Sequence, residues 1–322
     1  MAELRWNPIL EEWTIVADVR QDRPVLPRDS CPLCPEGLEI PEPDYDIVSF
    51  ENRFPSLVRE PGTPNVSGNE LFKVAPNQGI CEVLLYTPEH DISPANMSVA
   101  RMRNLVEVWV DRTRELAGYE FIRYVFIFEN RGERVGVTLS HPHGQIYAFP
   151  FIPPIIAREL ESAQKYYQQH DRCLFCEIIH REAEDGTRVV ANNEDFITFV
   201  PFYARFPYEV HLYPKRHILD LIQMDKDAYE PFAIAIRGVL QRYEGLFDDE
   251  EFPYMMVFHQ APSDRKDYPH YHFHVEFYSL KRGPGKVKYR AGVETGAGTF
   301  INPLTPERMA NMLREVQVAA DE

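Results

Sequence analysis

Apolar and polar residues alternate through DIVSFENRFPSL and again through ICEVLLYTPEH, which predicts two strands between Asp46 and His90. Ser93 then opens SPANMSVARMRNLVEVWVDRTREL, where Val99, Met102, Leu105, Val106, Trp109 and Leu116 recur at helical spacing behind a capping Ser and an early Pro. That segment predicts an amphipathic helix. After Gly118, the β-branched and aromatic run FIRYVFIFENRG and the alternating SHPHGQIYAF predict two more strands.

The same order returns downstream. DFITFVPFYARFPYEVHLYPKRH reads as a pair of strands; Phe232, Ile236, Val239, Leu240 and Tyr243 mark a helix; PYMMVFHQAP and YPHYHFHVEFYSL are strands again. Each half is therefore expected to be one α+β unit, an antiparallel sheet with helices, and the chain a duplicated fold. Pro150, Pro153 and Pro154 interrupt the pattern and a helical stretch runs to Asp171, so the halves are placed at 1–160 and 161–322. RWNPILEEWTIVADVR predicts a hairpin at the N-terminus, and a polar helix is expected from Pro306.

Composition narrows the class. The 322 residues are 44% hydrophobic and 26% charged, an ordinary globular balance that argues against disordered or fibrous chains. The formal charge of −16 disfavours a field that attracts nucleic acid, so any phosphate must be gripped locally. No apolar run approaches the roughly 18 residues of a membrane span, and a cytoplasmic protein without membrane or nucleic-acid partners is expected. GxxxxGK[ST] and GxGxxG are both absent from the sequence, so nucleotide binding would need another scheme.

Four of the five cysteines form two Cys-x-x-Cys pairs, and zinc wants four such borderline or soft ligands in a tetrahedron. Each half also offers two histidines at matching places. The expected sites are Cys31, Cys34, His90 and His141, and Cys173, Cys176, His217 and His272, the second taking zinc or iron. A redox-active dithiol is the alternative for either pair, although both are read as lying in loops flanked by Pro or charge rather than opening a helix. His259, His270 and His274 compete near the second site, and Glu159 and Glu276 could join a different metal set.

The densest chemical signal is Ser140-His141-Pro142-His143-Gly144-Gln145. In extended backbone His141, His143 and Gln145 would share one face, with steps of about 7 Å, so that one imidazole binds metal while the next does chemistry. A neutral imidazole attacks phosphorus without deprotonation, which makes His143 the candidate nucleophile. Gly144 is expected to let a phosphate approach the backbone, and Gln145 to donate to a nonbridging oxygen; Asn130, Arg131 and Gly132 are possible further donors. Spacing alone leaves open that both histidines are ligands or packed strand residues.

At these residues the chain resembles the galactose-1-phosphate uridylyltransferase branch of the histidine-triad superfamily. The resemblance spans nearly the whole chain through RWNPILEEWTIVADVRQDRP, FENRFPSL, the Cys31/Cys34 pair, TPEH, FENRG, SHPHGQIYAFP, PYEVHLYPKRH and the segment from Lys288 to Glu294. It implies a duplicated histidine-triad-like fold, a homodimer, and ping-pong transfer of UMP between UDP-glucose and galactose 1-phosphate, releasing glucose 1-phosphate, with a uridylyl group held on His143. It further implies sugar-phosphate contacts from Arg20 and Arg23, nucleotide contacts from Asn52 and Asn130, phosphoryl contacts from Ser140 and Gln145, and hexose contacts from Lys288, Tyr289 and Glu294.

Two departures accompany the match. Better-known bacterial members carry a Glu and three His around a second metal; Glu159, His259 and His274 match, but Glu276 stands at the last position. The second Cys-x-x-Cys and GVETGAGTFINPLTPERM are similar to a plant-type ADP-glucose phosphorylase with two Cys2His2 zincs, and Val293 stands where the uridylyltransferases usually have Tyr. A phosphorylase using the same histidine and a noncatalytic zinc-stabilised nucleotide-binding protein are the competing readings. His274 is equivalent to His143, but Glu276 in place of Gln145 would repel phosphate, so the second half is expected to be catalytically silent.

Overall fold

The computed structural model describes residues 2–18, 21, 31–40, 44–247 and 251–319. The expected N-terminal hairpin pairs β1 (Ala2–Asn7) with β2 (Glu12–Ala17), and β4 (Val74–Pro76) adds to the free side of β1. The main body is organised on one nine-stranded sheet.

From the first half come β3 (Val48–Glu51), β5 (Ile80–Leu85), β6 (Tyr124–Arg131) and β7 (His143–Phe149). The second half supplies β8 (Val189–Asn192), β9 (Phe196–Phe199), β10 (Val210–Pro214), β11 (Tyr254–His259) and β12 (His274–Ser279). Their spatial order is β3-β5-β7-β6-β11-β12-β10-β9-β8, with every neighbouring pair antiparallel. Outward from the β6–β11 seam the two halves repeat each other, so the duplication is a continuous sheet rather than two separate ones. β13 (Lys281–Gly283) and β14 (Lys286–Val287) form a short hairpin beyond β12.

One sheet face is covered by α1 (Val99–Ala117) and α4 (Tyr229–Gly245), the helices that the apolar spacing predicts. Ser98 caps α1 by accepting from Arg101 N, and Met102, Leu105, Val106 and Trp109 point into the core. Trp109 and Phe232 both meet Phe258 of β11 edge-on, locking the two helices to the seam. Removing so large a fully buried side chain as Trp109 costs about 3–5 kcal/mol.

The opposite face is covered unequally. α2 (Pro154–His170) and α3 (Leu174–Asp185) pack Ile156, Leu160, Phe175 and Ile179 over the second half. The face of β6 and β7 is left half-open, with His143, Gln145, Tyr147 and Phe149 alternating there against the buried Gly144, Ile146 and Ala148. The C-terminal helix α5 (Pro306–Glu315) is amphipathic rather than simply polar: Met309, Ala310 and Leu313 enter the main core. No helix among the described residues is long and apolar enough to cross a membrane.

Candidate active site

The first Cys-x-x-Cys loop, the turn after β5 and the turn before β7 bring Cys31, Cys34, His90 and His141 together, with one ligand atom from each within 4.8 Å of the others. Cys34 Sγ lies 3.4 Å from His90 Nδ1 and 3.6 Å from His141 Nδ1. Zinc with Zn–S near 2.3 Å and Zn–N near 2.0–2.1 Å spans about 3.6 Å from sulfur to nitrogen along a tetrahedral edge, so the donor set has the right size. An outer partner fixes the tautomer of His141: Nε2 donates to Thr87 O at 2.8 Å, with Tyr45 Oη 3.0 Å away, which leaves Nδ1 facing Cys34; at His90, Ser140 Oγ sits 3.1 Å from Nε2 and Nδ1 faces Cys34. Burial and the adjacent Cys31 push the Cys34 thiol up to about 11.

Cys173, Cys176, His217 and His272 form a second set within the same limit. Cys176 Sγ is 3.2 Å from His217 Nδ1 and 3.4 Å from His272 Nδ1, while His272 Nε2 donates to Pro214 O at 3.0 Å. The loop reading of this pair needs correction: Cys173 is the N-cap of α3 and Cys176 lies in its first turn. The preceding element is a helix, so a thioredoxin-like strand-to-helix context is still missing.

Strand β7 begins at His143, so His141 precedes it rather than sharing its pleat, and His272 stands before β12 in the same way. The chain turn, not alternation along a strand, sends one imidazole to the metal donors and the other to the open face. His143 lines a cleft with Gln145, Asn52, Arg53, Phe54, Val83 and Leu139. Its Nδ1 lies 2.8 Å from His141 O; a carbonyl only accepts, so Nδ1 carries a proton, and in the neutral ring the lone pair is on Nε2.

Its counterpart is built identically and then closed. His274 Nδ1 lies 2.9 Å from His272 O, but the ring stacks on Tyr213 at 4.8 Å and is covered by Phe175 at 5.2 Å. Glu276 is buried and shared: His211 Nε2 is 3.2 Å from Oε1, His274 Nε2 3.5 Å from Oε1 and Arg205 Nη2 3.5 Å from Oε2, and the Tyr278 hydroxyl donates to Oε2. His259 Nδ1 pairs with Glu159 at 3.0 Å, and Glu159, His259, His274 and Glu276 form a third group of metal-ligand type. Burial opposes charge on His259, but Glu159 and Glu276 outweigh it and raise the imidazole to about 9.

Gly144 has a structural reason that the sequence does not show. Its missing Cβ would point to the helix-covered face, 2.2 Å from Tyr86 Oη, so the glycine makes room for a tyrosine hydroxyl. Asn52 accepts from Phe54 N through Oδ1 at 2.8 Å, and Asn130 lies two positions beyond Phe128, which pairs with Gln145 across β6 and β7. Ser140 meets His90. Lys288 pairs with Glu294, which also accepts from Ala291 N at 3.0 Å, and Tyr289 is exposed beside them; this cluster is separate from the residues lining the His143 cleft. Arg20 and Arg23 lie outside the described residues. Sequence reasoning passed over Arg53, though it stands inside FENRFPSL, and Tyr45, whose link to His141 crosses 96 positions.

Comparison with known proteins agrees with this layout. Residues 2–153 match the N-terminal domain of galactose-1-phosphate uridyl transferase and residues 159–320 its C-terminal domain. A galactose-1-phosphate uridylyltransferase of Thermotoga maritima is 48% identical over 320 residues, 99% of both chains, and one of Streptomyces lividans is 36% identical over 98% of this chain and 87% of its own. A solved uridylyltransferase structure superposes with TM-score 0.89 at 32% identity, covering 98% of each chain. An Arabidopsis thaliana ADP-glucose phosphorylase with bound ADP-glucose shares the fold, with TM-score 0.75 at 24% identity over 98% of this chain and 100% of its own.

Proposed function

The chain belongs to the galactose-1-phosphate uridyl transferase family, and from that premise we propose that it carries a uridylyl group from UDP-glucose to galactose 1-phosphate by way of His143. The observation that supports the proposal is the His143 Nδ1–His141 O bond, which in the neutral imidazole puts the proton on Nδ1 and the lone pair on Nε2, in a residue that lines the cleft.

In the first step Nε2 attacks the α-phosphorus, the bond to the bridging oxygen breaks, and glucose 1-phosphate leaves with the electron pair. In the second, a phosphate oxygen of galactose 1-phosphate attacks the same phosphorus, and the P–N bond returns its electrons to Nε2 as UDP-galactose leaves. Both leaving groups are stable at neutral pH, so the transfer needs little general acid. The carbonyl of His141 steadies the imidazolium character that grows on the ring, and the Gln145 amide donates to a nonbridging oxygen. Arg53 offers a cation at the cleft wall, and Asn52 and Asn130 flank it as nucleotide contacts. Ser140, Arg20, Arg23, Lys288, Tyr289 and Glu294 are assigned as binding residues by their place in family motifs.

The 1–160 half carries the chemistry, and the 161–322 half is catalytically silent because Phe175 and Tyr213 cover His274. Cys31, Cys34, His90 and His141 would hold one zinc, and Cys173, Cys176, His217 and His272 a second zinc or an iron. Such an ion supplies a cross-link between turns. No disulfide joins the five cysteines, which suits the cytoplasm. The half-open aromatic face of Phe126, Phe128, Tyr147 and Phe149 beside the cleft suits burial against a second copy in a homodimer.

Intact mass after incubation with UDP-glucose, or separately ADP-glucose, tests the reading, with His143→Asn as control. A UMP-sized adduct that the variant lacks is expected. An AMP-sized adduct would replace the base and favour a phosphorylase, and no adduct from either would remove the covalent step.

A further inference from the structure

Behind the nucleophile, on the face turned to α1 and α4, sits a polar layer that the transfer reaction leaves unused. Glu129 of β6 is 2% exposed. Its Oε1 accepts from Tyr254 Oη at 2.6 Å, whereas Oε2 has no hydrogen-bond partner. Tyr86, fully buried, brings its hydroxyl beside this carboxyl without the alignment of a hydrogen bond, and Trp109 Nε1, next to Tyr86, is also unpartnered. Burial raises the Glu129 carboxyl above the usual range.

Tyr86 grips the chain on both sides of His143. Its N donates to Pro142 O at 3.2 Å, and its hydroxyl fills the space in which a Cβ on residue 144 would stand, 2.2 Å from that position. The residue just before it, Leu85, pairs with His143 itself.

The duplicated half provides an internal control. Val275 of β12 follows His274 as Gly144 follows His143, and Val275 pairs with Phe258 on β11 and Leu212 on β10. Gly144 pairs with Leu84 on β5, and Glu129 stands one position beyond the Phe128–Gln145 pair, in the place that Phe258 holds in the other half. The same scaffold thus builds this layer from hydrocarbon where the histidine is covered. A carboxyl with an unpaired oxygen is an unfavourable thing to bury, so folding alone does not account for it.

We infer that Tyr86, packed beside Glu129, is a positioning residue for His143: it fixes the peptides before and after the nucleophile and thereby sets where Nε2 meets phosphorus. This inference rests on the assignment of His143 as the nucleophile. Small displacements of a reacting atom are enough to slow such a step by about a hundredfold.

The test combines single-turnover formation of the His143 adduct from UDP-glucose, the UDP-glucose KM, and the imidazole 15N signals of His143 in full-length, metal-loaded protein. Tyr86→Phe should slow adduct formation about tenfold with KM within about twofold, and should shift the His143 signals. Gly144→Ala should slow it about a hundredfold, and Tyr86→Leu added to Gly144→Ala should recover at least about tenfold, because the clash is relieved. Unchanged rate and signals in Tyr86→Phe, or no recovery in the double variant, would overturn the inference. A wild-type protein that forms no adduct would instead sink the proposed function, while the His143 signals would still decide whether Tyr86 positions the ring.

Discussion

His143 donates its Nδ1–H to the carbonyl oxygen of His141 at 2.8 Å, so the residue whose side chain joins the first Cys/His cluster orients the proposed nucleophile through its backbone.

The first prediction follows from the repetition of that bond in the other half, where the ring is covered. His143→Asn should lower uridylyl transfer on the order of a thousandfold or more, and His274→Asn should stay within about tenfold of the parent. Comparable losses in steady-state rate would show that both rings take part.

Metal content gives the second. Zinc must displace protons from thiols such as Cys34, which burial and Cys31 hold near 11. Adding zinc to chelator-treated protein should therefore release protons, measurable with a pH indicator in weak buffer. Cys34→Ser should remove one ion per chain by native mass spectrometry, and Cys176→Ser a different one. Loss of both ions from a single substitution would mean that the sites are not independent.

The Cys/His clusters and the order of elements were legible because they repeat: spaced cysteines, Pro-associated histidines and His-x-His segments recur in both halves. Tyr45, Tyr86 and Glu129 carry no such mark, since their meaning comes from partners far along the chain. Cys173 looked like a loop residue because charges flank its pair, yet apolar Phe175 and Ile179 pull the segment into a helix against the sheet. Which strand edges join was equally hidden, as β6 and β11 have the pattern of any central strand.

Tyr45 supports the third prediction. Its hydroxyl shares one proton between Leu33 O at 3.0 Å and Thr87 O at 2.9 Å and lies 3.0 Å from His141 Nε2, tying the cysteine loop to that histidine. Tyr45→Phe should weaken zinc affinity about tenfold without removing a ligand. Competition with a chromogenic chelator measures this, and an unchanged affinity would exclude the role.

A fourth concerns pH. His259, facing Glu159, Glu276 and Arg205 with His274 alongside, is raised from 6.5 to about 9. A raised imidazole holds its proton more tightly when folded, so its contribution is complete below about pH 6.5 and fades as pH rises through about 9. Urea unfolding across that interval should show stability falling with pH in the parent and a flatter profile in His259→Gln. Parallel profiles would place the charge elsewhere.

The seam between β6 and β11, where Tyr254 faces Arg131 and Val257 faces Phe128, joins the two repeats by main-chain hydrogen bonds. Neither repeat alone would have a finished edge there: each would expose a long central strand as an open template for pairing. Cut between α2 and the first repeat, the chain should behave as complementary fragments, insoluble apart and recombining when refolded together, and the intact molecule should melt in one step although it was built twice.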